Sequence, residues 1–196
     1  MTSRPAGGHG RQQSDDVADL GFARLDTGRL ARTGDPEVVY GAGKTPSQTV
    51  ELLRTLREAH PDRAVLATRL DDAARAAVRD AFGPEADVDD VGRTAVVGPL
   101  PAPSGLVVVV AAGTSDAPVA AEAATTARVH GAAVRRVDDV GVAGLHRLLG
   151  AREELADADA LVVVAGMEGA LPSVVGGLCG VPLVAVPTSV GYGASF

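Results

Sequence analysis

Three short stretches in the second half of the chain place hydroxyls, carboxylates and glycines at spacings suited to holding an anion or a ring. The first is Gly113-Thr114-Ser115-Asp116, which leaves an apolar run and enters a helix-compatible segment. Backbone N–H groups and hydroxyls there point toward a phosphate or carboxylate; equally, Ser115 or Asp116 can simply cap a helix beginning near Pro118. The second is Gly166-Met167-Glu168-Gly169, continuing into Ala170-Leu171-Pro172-Ser173. Its glycines admit close backbone approach, and Glu168 can move a proton, hydrogen-bond a ribose or stand as a solvated loop carboxylate. The third, Thr188-Ser189-Val190-Gly191-Tyr192-Gly193, offers two hydroxyls and a phenol. A ring-bearing or phosphorylated ligand fits it, as does an ordinary turn with a partly buried tyrosine.

Other reactive residue types are less well placed. Gly41-Ala42-Gly43-Lys44-Thr45 lies between strand-like and helix-like segments, yet a P-loop needs glycine five positions before Gly43, and Val38 stands there. Lys44 is left as a point charge that can meet an anion. Asp138 and Asp139 can bind Mg²⁺, act on a substrate or cap the next helix. His9 falls in a polar tail, while His60, His130 and His146 lie in or beside predicted helices without metal-ligand spacing. Cys179, the single cysteine, sits in the apolar GGLCGVP and reads as buried structure.

The elements that position these loops follow from hydropathy. LVVVVAAG from Leu106, ALVVVAG at 160–166 and PLVAVP at 182–187 are apolar throughout, as expected of parallel strands covered on both faces. Helix-compatible segments alternate with them, so the class is α/β with a doubly wound sheet, and ligands should bind at the carboxyl ends of its strands. Upstream, the spacing from Val17 to Thr33 predicts one or two short helices. EVVY, AVLATR and TAVVG predict strands, and helices are expected from about Pro46 and over LDDAARAAVRDAF. Pro99, Pro101 and Pro103 interrupt the pattern. The expected division is a disordered tail over 1–16, a small N-terminal α/β domain over 17–99 and a nucleotide-binding domain over 105–196.

Composition sets outer bounds. With 46% hydrophobic but only 3% aromatic residues, the core must be built from Val, Leu and Ala. A net charge of −7 argues against nucleic acid as a partner. One cysteine forbids an internal disulfide, and no apolar run reaches membrane-span length, so a cytoplasmic protein with no membrane partner is expected.

The stretches EVVYGAGKTPSQ, VVAAGTSDAPVAAEAA, GMEGALPSVVGGL and PLVAVPTSVGYGASF, in this order, resemble the LarB family of nickel-pincer-cofactor biosynthesis. The second half of that family is similar to the aminoimidazole-ribonucleotide carboxylase of purine biosynthesis. The resemblance runs from about Leu20 to Phe196 and implies a three-layer, flavodoxin-like sheet. It implies carboxylation of the pyridinium ring of nicotinic acid adenine dinucleotide with CO₂ or bicarbonate, and cleavage of the phosphoanhydride. The products would be pyridinium-3,5-biscarboxylic acid mononucleotide and AMP.

Carried onto this chain, the substrate-binding residues are Gly113, Thr114, Ser115, Gly166, Met167, Gly169, Thr188, Ser189, Gly191 and Tyr192. Ser115 and the neighbouring N–H groups would hold phosphate. Asp116 or Glu168 would handle the proton lost as the ring regains aromaticity. No cofactor beyond the co-substrate is implied firmly, Mg²⁺ stays open, and a homo-oligomer, an octamer by resemblance, is expected. The family's nucleophilic cysteine lies after the GYGAS motif, where this sequence stops at Phe196. The expectation is a C-terminally truncated chain with apolar surface exposed, or one without the carboxylation step. Two rivals stand beside this activity. An aminoimidazole-ribonucleotide carboxylase would have histidine in the loop that holds Glu168, and a non-catalytic nucleotide-binding or assembly domain would need no thiol.

Overall fold

The computed structural model describes residues 16–192. The tail expected over 1–16, apart from Asp16, lies outside the described residues, as do His9 and Gly193.

The first elements differ from the helices expected over 17–33. Strands β1 (Val17–Asp19) and β2 (Arg24–Asp26) form an antiparallel hairpin, and only Arg29–Thr33 is helical, as α1. The reason is local. Gly21 turns the chain at φ 80°, and its N–H donates to the Asp19 carboxylate at 2.9 Å, so the apolar spacing is carried by a turn.

From β3 (Val39–Tyr40) the expected order holds. Helix α2 (Pro46–Ala59) starts with proline at its first position and a capping box. The Thr45 hydroxyl accepts the Gln48 N–H while the Gln48 side chain accepts the Thr45 N–H. That hydroxyl is therefore occupied by its own helix rather than by a phosphate. β4 (Val65–Thr68), α3 (Asp72–Phe82), β5 (Ala86–Asp89) and β6 (Thr94–Val97) complete a sheet of order β3-β4-β6-β5. Its β3–β4 pair is parallel and the rest antiparallel.

The second sheet is wholly parallel. Its strands are β7 (Leu106–Ala111), β8 (Ala133–Val137), β9 (Ala160–Ala165) and β10 (Leu183–Pro187), in spatial order β10-β9-β7-β8. The direction of winding reverses between β7 and β9, which is the flavodoxin-like order. Val108, Val110, Leu161 and Val163 pack on one face against α5 (Leu145–Gly150), α6 (Arg152–Leu155) and α7 (Leu171–Leu178). Val109, Ala111 and Val164 pack on the other against α4 (Ala117–Val129). Helices on both faces make the three layers.

Helix α4 also serves the first sheet. Its Val129 packs with Ala64, Leu66 and Val96, while Val65, Ala67, Ala95 and Val97 face α2 and α3 on the opposite side. Ion pairs Arg69–Glu122 and Arg128–Asp87 fasten the two halves along this helix. The strand over 182–187 departs from its expectation of cover on both faces. β10 is an edge strand with Val184 60% exposed, because a run of apolar residues does not specify a neighbour on each side.

His60 closes α2, buried at 6% exposure with its Nε2 unpartnered. Burial first, then the Arg63 charge, holds its pKa below the usual histidine value. The unfolded chain, titrating near pH 6.5, then binds the proton more readily than the folded one. Stability should fall as pH drops through that value and go on falling until the depressed folded pKa is passed. Urea unfolding at pH 7 and pH 5 should show a larger loss for the parent than for His60→Leu; equal losses would rule out a histidine contribution.

Candidate active site

All four carboxyl-end loops of the parallel sheet meet at the switch point. Neighbouring strand ends are tied by Ala112 N–H to Val164 C=O at 3.0 Å, Val140 N–H to Ala111 C=O at 3.1 Å and Thr188 N–H to Ala165 C=O at 3.1 Å. Met167 N–H donates to Val190 C=O at 2.8 Å, joining the loops after β9 and β10. Between them lies a cleft of about 420 Å³ lined by residues 112–116, 141–143 and 165–168 with Asp139, Arg147, Leu171, Val190 and Tyr192. Its size suits a small-molecule ligand.

The 113–116 loop forms a single 3-10 turn, Thr114–Asp116, that runs into α4. Asp116 does not cap this helix. Its carboxylate is buried at 4% exposure, accepts the Gly113 N–H at 3.1 Å and accepts the Thr188 hydroxyl at 2.6 Å. The Thr188 bond crosses the end of β9, the strand between the two loops. Asp116 and Thr188 are thus a brace beneath the cleft. No side chain caps α4; the Asp116 and Ala117 N–H groups bond back to Gly113 and Thr114 C=O and Pro118 has none, so the exposed Thr114 and Ser115 are the groups left to meet an anion there.

Glu168 is exposed on the rim with no hydrogen-bond partner among the described residues. The preceding Met167 holds φ 52°, an unusual backbone for a residue with a β-carbon and one that recurs at ligand sites. Gly191 lies against the Met167 side chain, outside the lining, and Tyr192 lines the cleft 71% exposed rather than partly buried. Ser189 is exposed and Gly169 half-buried, and neither is among the cleft-lining residues.

The structure adds Arg147, which the sequence reading did not single out. It stands on α5, lines the cleft and pairs with Asp139 at 2.6 Å, Asp139 itself holding φ 61°. The available signal was the loop 138–144 being one of the four strand-end loops, with a basic residue one turn into the helix that follows. Asp138 turns away to Arg136 at 2.8 Å. Cys179 lies at the C-terminal end of α7, packed against the core and outside the lining. Among the described residues no group of three or more His, Cys, Asp or Glu is arranged to hold a metal, and no helix is long and apolar enough to cross a membrane.

Residues 17–99 match the family described as the LarB/PurE-like N-terminal domain. An uncharacterized protein of Methanocaldococcus jannaschii is 36% identical over 179 residues, covering 87% of this chain and 69% of that protein. This chain belongs to the LarB/PurE-like family. At the family level its function is therefore carboxylase-related and directed at a nucleotide-type substrate, which accords with a cleft at the switch point of a parallel sheet.

Proposed function

We propose that this cleft carboxylates the pyridinium ring of nicotinic acid adenine dinucleotide and hydrolyses its phosphoanhydride. The products are pyridinium-3,5-biscarboxylic acid mononucleotide and AMP. The observation that carries the reading is the sign of the cleft. Asp116, Asp139 and Glu168 line it against one cation, Arg147, and Glu168 alone of the three acids is unengaged. An acidic lining favours a ring that bears positive charge, which pyridinium does and a neutral aminoimidazole does not.

The phosphates then lie toward the exposed Thr114–Ser115 turn, which offers hydroxyls, and Arg147, which offers positive charge. In the ring step a nucleophile adds to the pyridinium and makes C5 electron-rich. C5 forms a C–C bond to CO₂, the C5–H bond breaks with its proton leaving to Glu168, and expulsion of the nucleophile restores the aromatic ring. Asp116 is committed to Thr188 and Gly113 and keeps the loops in place. Cys179, outside the cleft, does not supply the nucleophile that makes the ring electron-rich. A homo-oligomer in the cytoplasm completes the proposal.

Incubation with nicotinic acid adenine dinucleotide and bicarbonate should release AMP and the dicarboxylated mononucleotide, detected by mass spectrometry. Glu168→Gln should lower product formation by roughly 10²–10⁴-fold while leaving dinucleotide binding intact. Turnover unchanged by that substitution would remove Glu168 from the proton transfer. Carboxylation of aminoimidazole ribonucleotide instead would put the purine activity in its place.

A further inference from the structure

Two arginines oppose each other where the first sheet meets α4. The β4–β6 ladder pairs Val65 with Val97, Leu66 with Val96 and Ala67 with Ala95. The same register carried outward sets Arg69 opposite Arg93, and Leu70 N–H donates to Arg93 C=O at 2.9 Å. Like charges in that relation are destabilising. Both arginines also hold left-handed backbone, φ 56° and 54°. Among the described residues the other two non-glycine positions with positive φ are Asp139 and Met167, and both line the cleft. Backbone strain of this kind concentrates at ligand sites.

Each guanidinium is fixed through Nε. Arg69 Nε donates to Glu122 at 2.9 Å and Arg93 Nε to Leu70 C=O at 3.0 Å. Their terminal nitrogens have no acceptor among the described residues, so two anchored forks are left open to an anion with several oxygens. Tyr40 pairs with Thr68, the residue before Arg69, in the adjacent strand and stands 57% exposed. The chain has only two tyrosines, and the other, Tyr192, is on the cleft. An exposed ring on the strand next to Arg69, at the same end of the sheet as Arg93, is suited to a base whose phosphate the guanidinium groups hold.

Helix α4 links this place to the cleft. Glu122 is five residues beyond Ala117, where α4 begins at the cleft edge, which is about 8 Å along the helix axis. Gly92, next to Arg93, lies directly on that helix: a β-carbon there would sit 3.1 Å from the Ala121 backbone.

The geometry points to a nucleoside-monophosphate subsite at Tyr40, Arg69 and Arg93, with the arginines on the phosphate and the tyrosine against the base. Resting on the dinucleotide reading above, it is the seat of the adenylyl half.

Calorimetric titration of the full chain with AMP, and separately with nicotinic acid mononucleotide, tests this. Both should bind without competing. Tyr40→Ala and Arg93→Ala should each weaken AMP on the order of tenfold and leave the mononucleotide unchanged. The exposed Tyr40 can be truncated without opening the core, so that arm stands even if Arg93→Ala disturbs its turn. Failure of AMP to bind, AMP affinity unchanged in Tyr40→Ala, or displacement of AMP by the mononucleotide would overturn the subsite. If AMP binding depends on Tyr40 while the mononucleotide does not bind and the dinucleotide is not converted, the carboxylase reading fails and the subsite holds.

Discussion

Asp116→Ala is expected to cost about 2–4 kcal/mol of folding stability and to abolish ligand binding in the cleft. The carboxylate is buried, with one oxygen on the Thr188 hydroxyl at 2.6 Å and the other on the Gly113 N–H at 3.1 Å. Alanine removes both acceptors and leaves two donors in a site where the residues around them are packed. A hydrogen bond to a charged group is worth more than a neutral one, and each stranded buried donor carries its own desolvation penalty. The effect on binding has the same origin. The brace holds the 113–116 turn against the 188–192 loop across β9, so without it the two walls of the cleft lose their fixed separation. Urea unfolding followed by circular dichroism gives the stability, and calorimetric titration with nicotinic acid adenine dinucleotide gives the binding. A loss below about 0.5 kcal/mol, the range of ordinary surface substitutions, would mean that water replaces the carboxylate and that the brace is not structural.

The central strands and the loops after them were legible because their physics is local. β7 and β9 lie inside a parallel sheet, both faces of each must be apolar, and the unbroken Val runs say so. Each run ends at Gly113 or Gly166, and the chemistry follows within three residues. What could not be read was anything set by strand order. Asp116 and Thr188 are 72 positions apart and meet only because β9 inserts between β7 and β10. The same limit hid Arg147, which reaches the cleft from α5, beyond the loop that reads as functional.

Edges and short elements were lost for a different reason. β10 has the composition of β9, yet it lies at the sheet margin, and hydropathy records a residue's preference rather than its neighbours. The β1–β2 hairpin is built from strands of three residues each, too short for a period of two to outweigh an accidental helical spacing. Arg69 and Arg93 are 24 positions apart, and only the β4–β6 register makes them a pair.

Gly166→Ala should destroy the cleft by adding a single methyl group. A β-carbon at this position would stand 2.5 Å from the Val190 carbonyl oxygen and 2.7 Å from the Thr188 hydroxyl oxygen. Neither neighbour can yield cheaply. Val190 C=O is held by the Met167 N–H, and the Thr188 hydroxyl is held by Asp116. The methyl must therefore drive the 188–192 loop off the end of β9 and break one or both bonds, at a cost of about 1–3 kcal/mol for overpacking. Dinucleotide binding should be lost even where the protein stays folded. Gly176 in α7 is the internal comparison, since a β-carbon there meets nothing within 4 Å. Gly176→Ala gains helix propensity and should stabilise the chain by about 0.5–1 kcal/mol. Melting temperatures and dinucleotide titrations on the two variants separate the effects. If Gly166→Ala bound ligand as the parent does, the close packing of the 188–192 loop over β9 could not be what shapes the site.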